Sequence, residues 1–277
     1  MGKDIANSEA LRKLIQDHNP SLLLIQESKT ASMNAEIIRS FWGQSPISWA
    51  SSDSIGLAGG LLICWDSDFF VADNIFKSEG AILLTGTLKV GNIRCVIANI
   101  YAPNSESQRR SFWDFLHSKW VEFGYPWMAG GDFNSVLRVE ERRGLDSVNS
   151  GMRDFENFTN NLCLVDLPLL GRKFTCTNNR LNASYSRLDR FLFDPAILCH
   201  FDSICQWGLD FTLSDHCPIL ISNSHDNWGP TPFKFINGWL DSLDCVKIIE
   251  DTWAQSLPAL GTNHHLVLYS INSRLPR

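Results

Sequence analysis

Residues 22 to 25 read Leu-Leu-Leu-Ile and run straight into Gln26 and Glu27. Four successive apolar positions leave no side for water, so a strand built from them is buried on both faces. Trp127-Met128-Ala129-Gly130-Gly131 repeats the pattern and also ends on polar residues, Asp132 and Asn134. Such runs alternate with stretches of helical period, which makes the chain an α/β protein. Each buried strand then delivers its closing polar residue to the rim of a sheet. Gly130 and Gly131 read as a place where the backbone turns and a ligand can come close.

Taken in order, residues 8–18 read as a helix with Ser8 as its cap, a Leu11, Leu14 and Ile15 face, and Asn19-Pro20 as its stop. A second helix is expected over 32–41. Strands are expected at 59–65 and 69–75, and a hairpin over 81–90 and 93–101 turns at Gly91-Asn92. Residues 108–123 form an amphipathic helix whose Phe112, Phe115, Leu116 and Trp120 stripe reads as core. After a helix over 150–162, short strands are expected at 164–167, 174–177, 188–193 and 219–222.

Residues 223–232, Asn-Ser-His-Asp-Asn-Trp-Gly-Pro-Thr-Pro, have linker composition. The expected organisation is a domain over 1–222, this linker, and a further piece over 233–277. In that piece a helix is expected over about 240–255, and residues from 257 onward carry no usable pattern.

The chain's 277 residues suffice for one sizeable domain and an appendage. No apolar run approaches the ~20 residues of a membrane span, and the first residues lack the apolar core of a signal peptide. The eight cysteines include no Cys-x-x-Cys pair, and Cys64, Cys95, Cys176 and Cys217 sit in apolar runs. This points to a reducing compartment, nucleus or cytoplasm, and not to secretion. A net charge of −6 argues mildly against nucleic acid. Yet Arg172, Lys173, Arg180, Arg187 and Arg190 face a single acid, Asp189, in one short segment. That segment is either a solvated loop or a phosphate-facing patch.

The polar strand ends are Glu27, Tyr101 with Asn104, Asp132 with Asn134, Asp189, and Asp215 with His216. Singly, each has an ordinary reading: a turn, a core tyrosine, an arginine's partner. Together they are a carboxylate-rich set with one histidine, and carboxylates gathered closely repel unless a cation sits among them. Hard oxygen donors suit Mg²⁺ or Mn²⁺ rather than zinc. That combination suits phosphoester hydrolysis.

The series Gln26-Glu27-Ser28, Tyr101-Ala-Pro-Asn104, Gly130-Gly-Asp-Phe-Asn134, Ser186-Arg-Leu-Asp-Arg-Phe191 and Ser214-Asp-His-Cys-Pro218 resembles the endonuclease/exonuclease/phosphatase superfamily. Within it, the series is most similar to the apurinic-type endonuclease domain of plant LINE (non-LTR) retrotransposons, over residues 8–222. The resemblance implies a four-layer α/β sandwich of two mixed β-sheets face to face with helices outside. It implies Glu27 and Asp215 as metal residues and Asp132, set by Asn134, as the group acting on water. His216, held by Asp189, and Tyr101 would contact the scissile phosphate, with Asn104 and Arg187 as substrate contacts. The partner would be DNA, nicked to release a 3′ oxygen. The family begins with a strand ending in Trp-Asn whose Asn helps hold the metal. Residues of that kind are not found ahead of residue 8, so the expectation is a sheet lacking its first strand and a chain truncated at both ends. A phosphatase or deadenylase of the same superfamily, or an impaired remnant that only binds nucleic acid, are the alternatives. Glu140-Glu-Arg-Arg-Gly144 and the linker favour nicking.

Overall fold

The computed structural model describes residues 8–30, 32–55, 58–144, 147–177, 184–201, 203–211, 214–222 and 267–272. The first half runs α1 (Ser8–His18), β1 (Leu22–Gln26), α2 (Ala35–Trp42), β2 (Ser48–Ile55), β3 (Ala58–Trp65), β4 (Phe70–Ser78), β5 (Ala81–Leu88) and β6 (Ile93–Tyr101). Then come α3 (Glu106–Phe123), β7 (Trp127–Asp132), α4 (Ser150–Asn161), β8 (Val165–Asp166), β9 (Leu169–Leu170), β10 (Cys176–Thr177) and β11 (Tyr185–Ser186). The last described elements are β12 (Asp189–Phe193), α5 (Pro195–Leu198), β13 (Cys205–Gly208), β14 (Ile219–Ser222) and β15 (Val267–Asn272).

Two mixed sheets result. One has the order β2-β3-β1-β15-β14-β13-β9, the other β4-β5-β6-β7-β12-β8, and β10 with β11 makes a small ribbon. Leu22 and Leu24 of β1 meet Ile97, Met128 and Phe191 of the other sheet in the shared core. On the outer face Leu23 and Ile25 pack against Leu11, Ile15, Ile38 and Phe41 of α1 and α2. Ala98, Trp127 and Ala129 pack outward against α3 and α4. Apolar side chains at successive positions of β1 and β7 are therefore explained by two different cores, one on each face. The four layers follow.

The aromatic stripe of α3 is core, as its spacing indicates, and Trp113 joins it. Trp113 stacks on Phe155 and Phe158 of α4 with ring centroids 5.1 and 4.9 Å apart. The expected second helix starts later, at Ala35, because Asn34 Oδ1 accepts from the N–H groups of Glu36 and Ile37 and so caps it there. The strands expected at 164–167 and 174–177 shrink to two residues each.

Gly130 and Gly131 lie inside β7 rather than in a turn. A Cβ on Gly130 would sit 2.5 Å from a Phe191 ring carbon and 2.7 Å from Leu24 Cδ1. One on Gly131, whose φ is 141°, would sit 1.9 Å from the Ile100 carbonyl oxygen. The pair lets neighbouring strands and facing sheets approach, which is a packing role. Beside them Asn99 bridges the sandwich: its Nδ2 donates to the carbonyls of Ile25 and Leu62, and its Oδ1 accepts from Gln26 Nε2 at 2.6 Å. Two buried amides thus satisfy each other where the sheets cross.

β15 comes from the stretch that carries no readable pattern. It pairs parallel with β1 and antiparallel with β14, so the β1 edge that the sequence leaves open is covered and the sheet draws on residues beyond 222. The linker at 223–232 and the helix expected at 240–255 lie outside the described residues.

Candidate active site

Register brings the polar strand ends together. Tyr101 of β6 pairs with Asp132 of β7, and Asp132 pairs with Asp189 of β12. Three residues far apart in sequence therefore stand side by side at one level of one rim. Phe133, the next residue, turns back into the core, and its N–H donates to the Leu188 carbonyl.

Asp189 and His216 form a buried pair, with Nδ1 of the imidazole 2.7 Å from Asp189 Oδ2. The same oxygen accepts from Thr175 Oγ1 at 2.7 Å, and that hydroxyl accepts from the N–H groups of Leu188 and Asp189. Thr175 thereby fixes both the carboxylate and the backbone that carries it. Ser214 and His216 exchange two hydrogen bonds that fold the loop ahead of β14 and aim the ring inward. Burial alone would lower the imidazole's pKa, but the Asp189 charge and hydrogen bond override it and hold His216 well above its usual range. A bond with the Cys176 side chain adds to this. The pair therefore favours the protonated form of the ring.

Asp132 is buried, and burial, followed by the Asp189 charge, pushes its carboxyl up to about 7. His216 and the Asn134 N–H, which donates to Asp132 Oδ1 at 2.8 Å, pull the other way, and Glu27 adds a further upward push. Asn134 sits at φ 48°, and its side-chain amide donates to the Ala102 carbonyl at 2.7 Å. One residue thus positions Asp132 and ties it to the loop after β6. Arg109 of α3 closes that loop from outside by donating to the carbonyls of Pro103 and Asn104. Asn104 itself lies exposed at the loop's tip.

Glu27 stands just past the end of β1, buried, with the Tyr101 hydroxyl donating to its Oε1. Its φ is 51° and that of Lys29 is 54°. Non-glycine residues in this region are uncommon and cluster at functional sites. The N–H groups of Ser28 and Lys29 hold the turn by donating to the carbonyls of Gly60 and Gly59. Among the described residues, the tightest grouping of possible metal ligands is Asp132, Asp189 and His216, with one ligand atom from each within 4.8 Å of the others. Glu27 and Asp215 are not in that grouping. Asp215 lies beside it, its carbonyl accepting from the Thr177 N–H.

The reading of Arg187 as a substrate contact is corrected. Arg187 is buried and bonded to Glu141, Asp166 and the Leu167 carbonyl. Arg190 joins the same acids at 3.0 and 2.8 Å. The basic segment therefore feeds an internal ion-pair network more than a surface, and Arg172 pairs with Asp210 outside it. Arg180 lies outside the described residues. Glu141, from the Glu140-Glu-Arg-Arg-Gly144 stretch, is thus a buried anchor, and Arg142 bonds Ser186 beside it. Thr175, Arg109 and the Asn99–Gln26 pair escape a reading by sequence. Nothing marks a threonine in Lys-Phe-Thr-Cys-Thr until its strand neighbours are known.

The donor set fits a hard divalent cation. A carboxyl pushed up to about 7 by burial and by two further carboxylates is what a cation placed among them would relieve.

Known structures share this architecture. The AP endonuclease LMAP of Leishmania major superposes with a TM-score of 0.57 at 15% identity, covering 77% of this chain and 81% of that one. The endonuclease domain of TRAS1, a telomere-specific non-LTR retrotransposon, gives 0.58 at 14%, covering 79% and 92%. The Neisseria 3′ phosphatase NExo, bound to a product DNA hairpin, gives 0.57 at 16%, covering 76% and 91%. At these identities they show the fold. No curated protein matches the chain by sequence. The family model described as Endonuclease/Exonuclease/phosphatase matches residues 2–216, a span that holds every one of the polar strand ends described above. The chain belongs to the endonuclease/exonuclease/phosphatase family.

Proposed function

We propose that this chain is a Mg²⁺- or Mn²⁺-dependent phosphodiesterase that nicks DNA, of the kind carried by non-LTR retrotransposons. The observation that carries the reading is the juxtaposition of an Asp189–His216 pair with Asp132, next to Glu27 and Tyr101, on one rim. Glu27, with Asp215 nearby, would hold the cation, which supplies charge against the phosphate oxygens when bound. Asp189 and His216 satisfy each other, so their part is to keep a cationic imidazole in place. That cation faces the negative charge that develops on a phosphate under attack. Asp132 takes the proton of a water aligned with the phosphorus, a task for which a carboxyl near 7 is well matched at neutral pH. Tyr101 orients Glu27 by donating its one hydroxyl proton to it, at the edge of the phosphate's place.

Incubating the full chain with supercoiled plasmid and with a DNA strand bearing a 3′ phosphate, in Mg²⁺ and in EDTA, tests this. Mg²⁺-dependent nicked circles with little phosphate release are expected. Phosphate release faster than nicking would move the assignment to a phosphatase, and inertness in both Mg²⁺ and Mn²⁺ would overturn it.

A further inference from the structure

Three strand pairings tie the active rim to a neighbouring surface. His216 bridges Cys176, Cys176 pairs with Ser186 across the β10–β11 ribbon, and Ser186 bridges Arg142. Each step between paired strands is ~4.8 Å, so Arg142 stands roughly 14 Å from His216. That span is about four steps of a DNA strand at ~3.4 Å each. There the ribbon and the segment after Glu141 form a groove of about 580 Å³ lined by Arg142, Arg143, Lys173, Phe174 and Tyr185. The Phe174 and Tyr185 ring centroids lie 5.8 Å apart. Lys173 Nζ sits 5.4 Å from the Phe174 centroid, and the Arg143 guanidinium sits 5.6 Å from that of Tyr185. Arg142 Nε donates to Ser186 Oγ at 3.0 Å, and the Arg143 N–H donates to the Tyr185 carbonyl.

We propose that this groove takes an unpaired stretch of DNA beside the nick, with a base against Phe174 and Tyr185 and its phosphates on Arg142, Arg143 and Lys173. This rests on the DNA-nicking reading above. The nearby cations are bonded to acids: Arg187 and Arg190 to Glu141 and Asp166, and Arg172 to Asp210. Among the described residues no acid pairs with Arg142, Arg143 or Lys173, and Glu140 is the one acid lining the groove. Cations gathered this way repel one another, and an anion entering among them relieves the repulsion. The phosphates of a DNA strand supply such anions at a regular spacing. The rings set which form of DNA fits. In a duplex both faces of each base are covered by its neighbours, whereas an unpaired base offers a face for stacking. Cations lying over the rings add to such a stack. The groove therefore selects sites where the duplex is open on this side of the nick.

The test is fluorescence anisotropy of the full chain with two probes, in EDTA so that neither is cut. One is a fluorescein-labelled DNA duplex, the other the same duplex carrying a short mismatched bubble. The parent should bind the bubble about tenfold more tightly, the scale of one stacked base. Tyr185→Leu and Phe174→Leu keep apolar bulk, should melt as the parent does, and should lose that preference. Arg143→Gln should weaken binding of both probes and lower the slope of log affinity against log salt concentration by about 0.7–0.9, the share of one phosphate. If the parent binds both probes alike, or both leucine variants keep its preference, the inference fails. An Arg143→Gln variant with the parent's salt slope sinks it too. In each case Mg²⁺-dependent plasmid nicking by the parent still upholds the reading above. If sedimentation shows the parent to be a dimer that Tyr185→Leu separates, the groove belongs to a second copy and the inference fails. A parent that binds neither probe and nicks no plasmid overturns both.

Discussion

Replacing Asp132 by Asn should stabilise the metal-free protein at alkaline pH while abolishing its catalysis. In the folded chain burial and then the Asp189 charge push this carboxyl up to about 7, against an ordinary 3.8. Below pH 4 the folded and unfolded chains both hold the proton and the group is neutral to stability. Between pH 4 and 7 the folded chain keeps a proton that the unfolded chain has lost, so stability falls as pH rises and the loss is complete above 7. Roughly three pH units at 1.36 kcal/mol each give about 4 kcal/mol. Urea denaturation of parent and Asp132→Asn in EDTA at pH 5 and pH 8 measures it. The two units left between pH 5 and 7 should let the variant gain on the parent by about 2–3 kcal/mol, since an amide keeps the oxygen that accepts from Asn134 and has no proton to lose. His216, whose raised pKa gives stability that is lost as pH climbs through it, contributes to both proteins, and less in the variant, because the Asp132 charge is one of the causes of that rise. Saturating Mg²⁺ at pH 8 should stabilise the parent more than the variant, because the variant keeps Glu27 and Asp215 but has no Asp132 charge for the cation to relieve. A gap between parent and variant that is the same at both pH values would refute the reasoning.

Arg190→Ala should cost about 3 kcal/mol in urea denaturation, since it leaves Glu141 and Asp166 sharing Arg187 alone in the interior; a loss under 1 kcal/mol would show the network is solvated. Thr175→Val should cost about 2 kcal/mol or more by the same assay, because two backbone N–H groups lose their acceptor. An unchanged midpoint would mean another group takes them up. Asp189→Asn should lower the His216 titration, followed by NMR, because the largest opposition to burial is lost. A value that stays high would assign the shift to another neighbour.

Strands buried on both faces were legible because Leu22 to Ile25 and Trp127 to Ala129 leave no polar side, and their closing residues then had to lie on a rim. α3 and α4 were legible from their spacing. β2, rich in serine on an edge, and β15, without a run of its own, were not, because pairing makes them strands and pairing is non-local. The site divides the same way. Asp132, Asp189 and His216 announce themselves as polar residues beside apolar runs, and register brings them together. Thr175 does not, since its role consists of three hydrogen bonds to residues more than ten positions away. Arg187 misled for the converse reason: a cluster of cations looks like a surface until its acids, Glu141 and Asp166, are found to come from other elements.

The central claim is that Glu27 and its neighbours on the rim make one cation-dependent hydrolytic centre, and the rate of plasmid nicking by Glu27→Gln against the parent in Mg²⁺ tests it most directly. Glutamine keeps the shape and can still accept from Tyr101, but it lacks the charge that holds the ion. The account predicts at least a roughly 10²-fold loss, the scale of a missing charge-stabilising group, and no nicking by either protein in EDTA. Equal rates in Mg²⁺, or nicking that survives EDTA, would contradict it.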